Sequence, residues 1–350
     1  MKKSITIYDI AKNANTSAAT VSRVLSESNY PVSVGMREKI KRIAKEFNYV
    51  PNISGRQLKT NKSMTIGVIV PSISNPFYSS IVLGIEETAR KNGYHVLLCN
   101  SLQNPELENE YIQTLFQKQV QGLIISSISG KIELLNHYIS KGLNVVAIDQ
   151  ALDDLKDGFQ IGFDYRKGGY LATEHLIQKG HSKIAYVTAP LDRPSRKDIL
   201  TGYQDALLKY GITPDQEWIQ ITESVESILD GSTYEFSNGK HLANRILNVQ
   251  DRPTAILACN DMTAVGIINE LEKQGVKVPY HMSIIGIDNI ELGQIITPSL
   301  STIDHPKREM GKFACRMLFE RMNGEISTMK EMVMQPQMIE RGSVANIKLN

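Results

Sequence analysis

The apolar positions of this chain change their spacing as it proceeds, and each change marks a boundary. From Thr6 to Leu25 they recur at helical spacing in two short runs. Ile7, Ile10, Ala11 and Ala14 share one face, and Val21, Val24 and Leu25 share another. Thr6 with Asp9 is a capping-box start, because the hydroxyl can take an orphan amide and the carboxylate favours the positive helix end. Asn13 to Thr16 break the pattern, and Ser17 is a good cap for a second helix. A third helix is expected from a Ser33 cap to about Asn48. Met36, Ile40, Ile43, Ala44 and Phe47 would be its apolar face, and Arg37, Lys39, Lys41 and Arg42 would stay wet. Tyr49 to Ser63 holds Pro, Gly, Asn and basic residues and too little apolar surface for a core, so it is expected to be a linker.

From Met64 the texture differs. Thr65 to Val70 is apolar without alternation, as strands buried on both faces are. A helix is expected from about Phe77 to Lys91, closed by Gly93. The unit then repeats, with strands at His95 to Cys99, Gly122 to Ser126 and Val145 to Asp149, and helices near Glu106 to Gln119 and Ile132 to Lys141. A second series begins near Ile161. Its helices are expected at Tyr165 to Lys179, Lys197 to Tyr210, Asn238 to Asn248 and Thr263 to Gln274, and its strands at Ile184 to Thr188, Ala255 to Cys259 and Ser283 to Ile287. Strict alternation predicts parallel sheets with right-handed crossovers, and two series predict two lobes. Ligands in open α/β sheets bind beyond the carboxyl ends of strands, so the cleft between lobes is the expected site. Phe313 to Met322 is expected to be a late helix returning to the first lobe.

The fold class that follows is an N-terminal all-α helix-turn-helix head plus hinge, then an α/β body of two parallel-sheet lobes. Expected limits are 1–50 for the head, 51–63 for the hinge and 64–350 for the body. Within the body, lobe 1 is expected at about 64–160 and 294–324, and lobe 2 at about 161–293 and 325–345.

Two helices joined by a tight turn are the plan of a DNA reader. On the second helix Ala18, Ala19, Ser22 and Arg23 are left outside, near the N-terminal end that reaches base edges in a major groove. A generic helical hairpin would more often carry Lys and Glu there. Charge supports the reading. Residues 1–63 hold twelve Lys and Arg against four Asp and Glu, or +8, while the rest of the chain is −6, so the net +2 hides a basic head on an acidic body. Counterion release makes such a head bind polyphosphate whatever the base sequence.

Composition is that of an ordinary globular protein, 41% apolar over 350 residues, which is long enough for two or three domains. The start MKKSITIYD has no apolar signal-peptide core, and no stretch approaches a membrane span, so a cytoplasmic protein with no membrane contact is expected. Cys99, Cys259 and Cys315 are far apart in apolar stretches and are expected to be buried thiols. An α/β body invites an enzyme reading, but its motifs are missing. No two glycines are separated by a single residue, and there is no G-K-[ST], G-x-S-x-G or H-E-x-x-H. Neither a reaction nor a metal or cofactor is expected.

At this point the chain resembles the lactose-repressor family of bacterial transcription regulators, from Thr6 to about Gly342. TIYDIAKNANTSAATVSRVL, YVPN, IGVIVPSISNPF, LIQKGHSKIAYV, CNDMTAVGII and VPYHMSIIGIDN carry the likeness in order and spacing. The resemblance implies a homodimer reading a palindromic operator, and a body similar to type I periplasmic sugar-binding proteins. It places Thr6, Thr16, Ser17, Ala18, Ala19, Thr20, Ser22 and Arg23 against DNA, together with hinge residues Asn52, Gly55, Arg56 and Leu58. Leu58 would be the hinge leucine that wedges into a central minor-groove step, or would pack on the body off DNA. Ala18 and Ala19 can offer only methyl contacts, so base hydrogen bonds fall to Thr16, Thr20, Ser22 or Arg23, and Arg23 suits a phosphate equally well. Specificity then leans on the hinge and on DNA shape.

Gly55 stands where the family usually has Ala, and Gly inside a helix costs about 1 kcal/mol relative to Ala. Gly55→Ala is therefore expected to strengthen operator binding, read by titration of labelled operator; unchanged affinity with unchanged helicity off DNA would refute it.

For the cleft, the resemblance implies a small sugar-like effector met by Asn260 and Asp288, with Phe77 and Tyr78 to stack on a sugar face and Asp149, Arg196 and Tyr234 nearby. Asp164 suits a helix cap better than a ligand contact, and Asp261 has the same ambiguity. Ile199 occupies the position of the usual effector-binding arginine. Either Arg196 reaches in from one turn earlier, or the ligand is held without that clamp.

Overall fold

A computed structural model describes residues 5–26, 30–49, 63–128, 132–223, 234–325 and 329–349. Asn52, Gly55, Arg56 and Leu58 lie outside the described residues. The chain divides into two compact units, Met1–Ser63 and Met64–Asn350.

Among the described residues the first unit holds three helices, α1 Ile7–Ala14, α2 Ala18–Leu25 and α3 Val34–Glu46. The capping box at Thr6 is complete: the Asp9 amide donates to the Thr6 hydroxyl at 3.4 Å, and the Thr6 amide donates to the Asp9 carboxylate at 2.8 Å. Asn15 turns the chain at φ 54°, a left-handed conformation that Asn tolerates. Ser17 then caps α2 by accepting the Thr20 amide at 3.1 Å. Ser33 differs from expectation, since it precedes α3 but its side chain makes no capping bond. Ile10, Ala11, Ala14, Val21, Val24, Ile40, Ile43 and Ala44 form the core of the head.

Among the described residues the second unit forms two six-stranded sheets. In chain order its elements are β1 Thr65–Val70, α4 Pro76–Lys91, β2 His95–Asn100, α5 Pro105–Gln117, β3 Gly122–Ile125, α6 Ile132–Ser140, β4 Asn144–Asp149 and β5 Phe159–Phe163. Then follow α7 Tyr165–Gln178, β6 Ile184–Thr188, α8 Pro194–Lys209, β7 Ile219–Ile221, α9 Tyr234–Leu247, β8 Ala255–Ala258, α10 Asp261–Lys273 and β9 Ser283–Asp288. The chain ends with α11 Leu292–Ile295, β10 Ser301–Asp304, α12 Lys307–Met322, β11 Glu331–Met334 and β12 Gln337–Ile339. The first sheet runs β11-β5-β4-β3-β1-β2 and is parallel throughout. The second runs β12-β10-β9-β8-β6-β7, with β12 alone antiparallel. Central strands are buried on both faces, and each fully buried Val, Ile or Leu contributes about 1.5–3 kcal/mol.

Three passages join the sheets: β5 to α7, β10 to α12, and β11 to β12. They correct the expected lobe limits. β5 reaches Phe163 and still belongs to the first sheet, so the second lobe begins at α7 rather than near Ile161. β10 pairs with β9, which moves 301–304 out of the first lobe, and β11 pairs with β5, which moves 331–334 into it. These strands are short and partly polar, so their hydrophobic signal is weak. The late helix α12 packs on α4, β3 and β4 of the first lobe. Cys259 and Cys315 are buried, whereas Cys99 is only half-buried on edge strand β2.

Three helix pairs cross at glycines: α4 with α12 at Gly84 and Gly311, α7 with α8 at Gly169 and Gly202, and α9 with α10 at Gly239 and Gly266. At each of the six, an added Cβ would overlap a backbone atom of the partner helix. No described helix is long and apolar enough to cross a membrane.

Candidate functional site

On the head, α2 presents its N-terminal turn. Ala19 is exposed, while Ala18 is half-buried against the head core and so is less outward than expected. Thr20 and Ser17 are tied to each other, hydroxyl to hydroxyl at 2.9 Å. The hydroxyls of Thr16 and Ser22 make no hydrogen bond among the described residues, which leaves them able to meet bases or phosphates. The Arg23 guanidinium lies 3.9 Å from the ring centre of Tyr30, a cation–π contact that fixes its direction. Arg37 donates to the Tyr30 carbonyl at 3.4 Å, so a pair of arginines is organised around one tyrosine.

In the body, a cavity of about 50 Å³ lies beyond the carboxyl ends of both sheets, between the lobes. Asp149 ends β4 and Asp288 ends β9, at φ 76° and 120°, conformations that non-glycine residues rarely adopt and that cluster at functional sites. Asp149 accepts the hydroxyls of Tyr78 at 3.2 Å and Ser126 at 3.1 Å, and also that of Tyr165. Burial, then the Asp149 charge, pushes both tyrosine hydroxyls well up. Burial pushes the Asp288 carboxyl well above the usual range; Lys307 opposes this, while Asp149 and Glu235 add to it. Phe77 and Tyr78 meet edge to face, with ring centres 5.0 Å apart. Asn260 caps α10 through its oxygen, which accepts the Thr263 amide at 2.8 Å, and its NH₂ has no partner among the described residues.

Of the expected cleft residues, the wall brings together Phe77, Tyr78, Asp149, Arg196, Asn260 and Asp288. Asp164 is not in it. It caps α7 by accepting the Lys167 amide at 2.9 Å, as a short carboxylate before a helix does. Tyr234 is also outside the wall, buried with its hydroxyl unbonded among the described residues, and the next residue, Glu235, faces the cavity instead. Asp261 is a core acid, accepting from Thr302 at 2.6 Å and from the Ile290 amide at 2.9 Å.

Arg196 lines the wall but is occupied, paired with Asp192 at 2.8 Å and donating to the Pro190 carbonyl at 2.7 Å. The arginine that crosses the cleft is Arg193. It donates to Gln103 at 2.9 Å and to the Tyr78 hydroxyl at 3.4 Å. Glu235 accepts from Gln103 at 3.2 Å and Asn75 at 3.4 Å. Asn75 and Gln103 belong to the first lobe, Arg193 and Glu235 to the second, so these four side chains fasten the lobes beside the cavity. Gln103 sits in a loop at φ 58°, and no sequence pattern flags it. Glu235 had a signal in its place beside Tyr234.

Residues 6–52 match the family described as bacterial regulatory proteins, lacI family, and residues 63–341 match periplasmic binding proteins and sugar binding domain of LacI family. The chain belongs to the lacI family of bacterial regulatory proteins. It is 33% identical to the HTH-type transcriptional repressor PurR of Vibrio atlanticus over 344 residues, 98% of this chain and 99% of the relative. It is 35% identical to the ribose operon repressor of Haemophilus influenzae over 347 residues, again 98% and 99%. The lac repressor dimer bound to operator and the anti-inducer ONPF superposes with a TM-score of 0.84 at 26% identity, covering 98% of this chain and 100% of that one.

This lacI-family body also holds a buried histidine where two interlobe passages meet. His305 stacks on Phe163 at 4.4 Å, lies 3.8 Å from Asp288, and has neither ring nitrogen hydrogen-bonded among the described residues. Burial, then Lys307, pulls it down to about 3. Between its ordinary value near 6.5 and about 3, the unfolded chain binds a proton that the folded chain refuses. Stability is therefore lost as pH falls below about 6.5, by about 2 kcal/mol at pH 5. The raised Asp288 works in the opposite sense, and His175 and His181, both lowered by burial, in the same sense. His305→Gln should flatten the loss between pH 7 and 5 in urea unfolding; a loss equal to that of the parent would assign it to other groups.

Proposed function

We propose that this protein is a sequence-specific DNA-binding repressor that acts on a palindromic operator as a homodimer and answers to a small sugar-like molecule in the interlobe cleft. One observation carries the reading: a capped helix-turn-helix with a basic surround shares a chain with a cleft of hydroxyl-binding groups that fastens two lobes. The names of its relatives, an HTH-type transcriptional repressor PurR and a ribose operon repressor, support the same reading. It is no enzyme on this reading, and it takes no cofactor.

Thr16, Ala19, Ser22 and Arg23 face the major groove, with Ser17 and Thr20 fixing the helix start. In the cleft, Asp149, Asp288 and Asn260 take hydroxyls while Phe77 and Tyr78 cover an apolar ring face. Arg193 supplies the clamp that Ile199 cannot. A ligand that favours one lobe angle shifts the equilibrium between arrangements, and through the dimer shifts the spacing of the two hinges.

Exposed leucines at the edge of the first sheet would suit a second copy. Leu97 and Leu98 on edge strand β2, Leu83 on the adjoining α4 and Leu102 beyond β2 are 40%, 43%, 54% and 56% exposed. Monomeric proteins rarely leave such a group uncovered.

Operator footprinting repeated across a panel of sugars and sugar phosphates tests the reading. A protected palindrome whose protection changes with one compound is expected. No protected site would end the repressor reading, and protection indifferent to every compound would favour a protein corepressor.

A further inference from the structure

A second cavity, of about 240 Å³, lies between the same lobes and shares Arg193 with the first. The first measures about 50 Å³. The second is nearly five times larger and has a different character. Ile132 and Leu152, held by the core of the first lobe, and Pro194 at the start of α8 give it an aliphatic wall. Gln150 gives it a polar one. This residue is 7% exposed, and its side-chain amide makes no hydrogen bond among the described residues. With no hydrogen bond to the described residues, that amide is available to an occupant of the cavity.

The loop opposite is held by design. Glu108, fully buried, accepts the Ser127 hydroxyl at 2.6 Å and the Ile128 amide at 2.8 Å, and Ser127 and Ile128 both face the larger cavity. The rim carries two carboxylates, Asp153 and Asp192, the latter paired with Arg196. Arg193 on the same wall offsets Asp153, so these charges sum to zero and suit a neutral occupant.

We propose that the cleft has an outer subsite that takes the second ring of a neutral disaccharide. Its C–H face would lie on Ile132, Leu152 and Pro194, and its hydroxyls would donate to and accept from the Gln150 amide. Arg193 stands between the two rings. The inner ring would occupy the first cavity, so the proposal rests on the sugar reading of that cavity and names the size of the sugar.

Titration calorimetry with glucose, galactose and xylose against maltose, cellobiose, lactose, melibiose and xylobiose tests it. At least one disaccharide should bind at least ten-fold more tightly than its constituent monosaccharide. Gln150→Leu, which keeps the volume and removes the hydrogen bonds, should bring that ratio to within about two-fold. Ala151→Trp should do the same from an exposed position on the cavity wall, where folding is not at stake. A monosaccharide that binds as tightly as every disaccharide overturns the outer subsite and leaves the sugar reading standing. A disaccharide advantage that survives both variants also overturns it. Binding of none of the eight removes both readings together.

Discussion

Leu98→Asp is expected to give a monomer by light scattering and to weaken operator binding by at least about 100-fold. The argument starts from an edge. β2 is the last strand of the first sheet, with β1 on one side and, among the described residues, no strand on the other, and it presents Leu97 and Leu98 at 40% and 43% exposure. An edge strand left apolar is a liability unless another surface covers it. A twofold partner would cover it with the same surface, so one charge in the sequence would place two in the interface. Each head alone has a short reading helix with alanines at its tip, and single-head affinity is correspondingly small. Joining two heads makes the second contact intramolecular, and that linkage is worth about 10²–10⁴. Ligand binding in the proposed cleft, whose wall does not include Leu98, should be retained. A dimer with unchanged operator affinity would move the interface elsewhere.

The head was legible because its signals are local. The capping box at Thr6 and the serine cap at Ser17 act within four residues and are found bonded as the pattern predicts, whereas Ser33 makes no capping bond. The central strands were legible because burial on both faces leaves an unbroken apolar run. What escaped was set by partners distant in sequence. β10 and β11 are four residues each, and only pairing with β9 and β5 assigns them to opposite lobes. The cleft divided in the same way. Asp149 and Asp288 stand at strand ends, where the fold itself points to a site. Gln103 and Glu235 lie 132 residues apart and have meaning only once two lobes face each other. The sequence pointed to Arg196 or to no arginine clamp, and Arg193, just before the start of the same helix, carried no separate signal. Asp192 decides the matter by occupying Arg196 one turn on, which leaves Arg193 to cross the cleft.

Gly202→Ala is expected to destabilise the body by about 3 kcal/mol or more and to abolish ligand response in whatever protein remains folded. Alanine is ordinarily the better helix residue by about 1 kcal/mol. Here the sign reverses, because a Cβ on α8 would overlap the Arg166 carbonyl oxygen and lie 2.7 Å from the Tyr170 amide, both on α7. Neither is a side chain that can rotate away, so the helices must part, and overpacking of this kind costs about 1–3 kcal/mol even where side chains can yield. The reciprocal contact, Gly169 against the Ile199 backbone, would open with it. Function follows because α8 begins with Arg193, Ser195 and Arg196 in or beside the cavity wall, while α7 begins with Tyr165, which is bonded to Asp149. Parting the helices moves the clamp away from Gln103 and from the aspartate it faces. Gly35→Ala on α3 is the control, since a Cβ there meets nothing within 4 Å, and it should gain a few tenths to about 1 kcal/mol. Thermal and urea unfolding read both. Equal effects from the two substitutions would show that the α7–α8 crossing relaxes freely and that glycine at this crossing is dispensable.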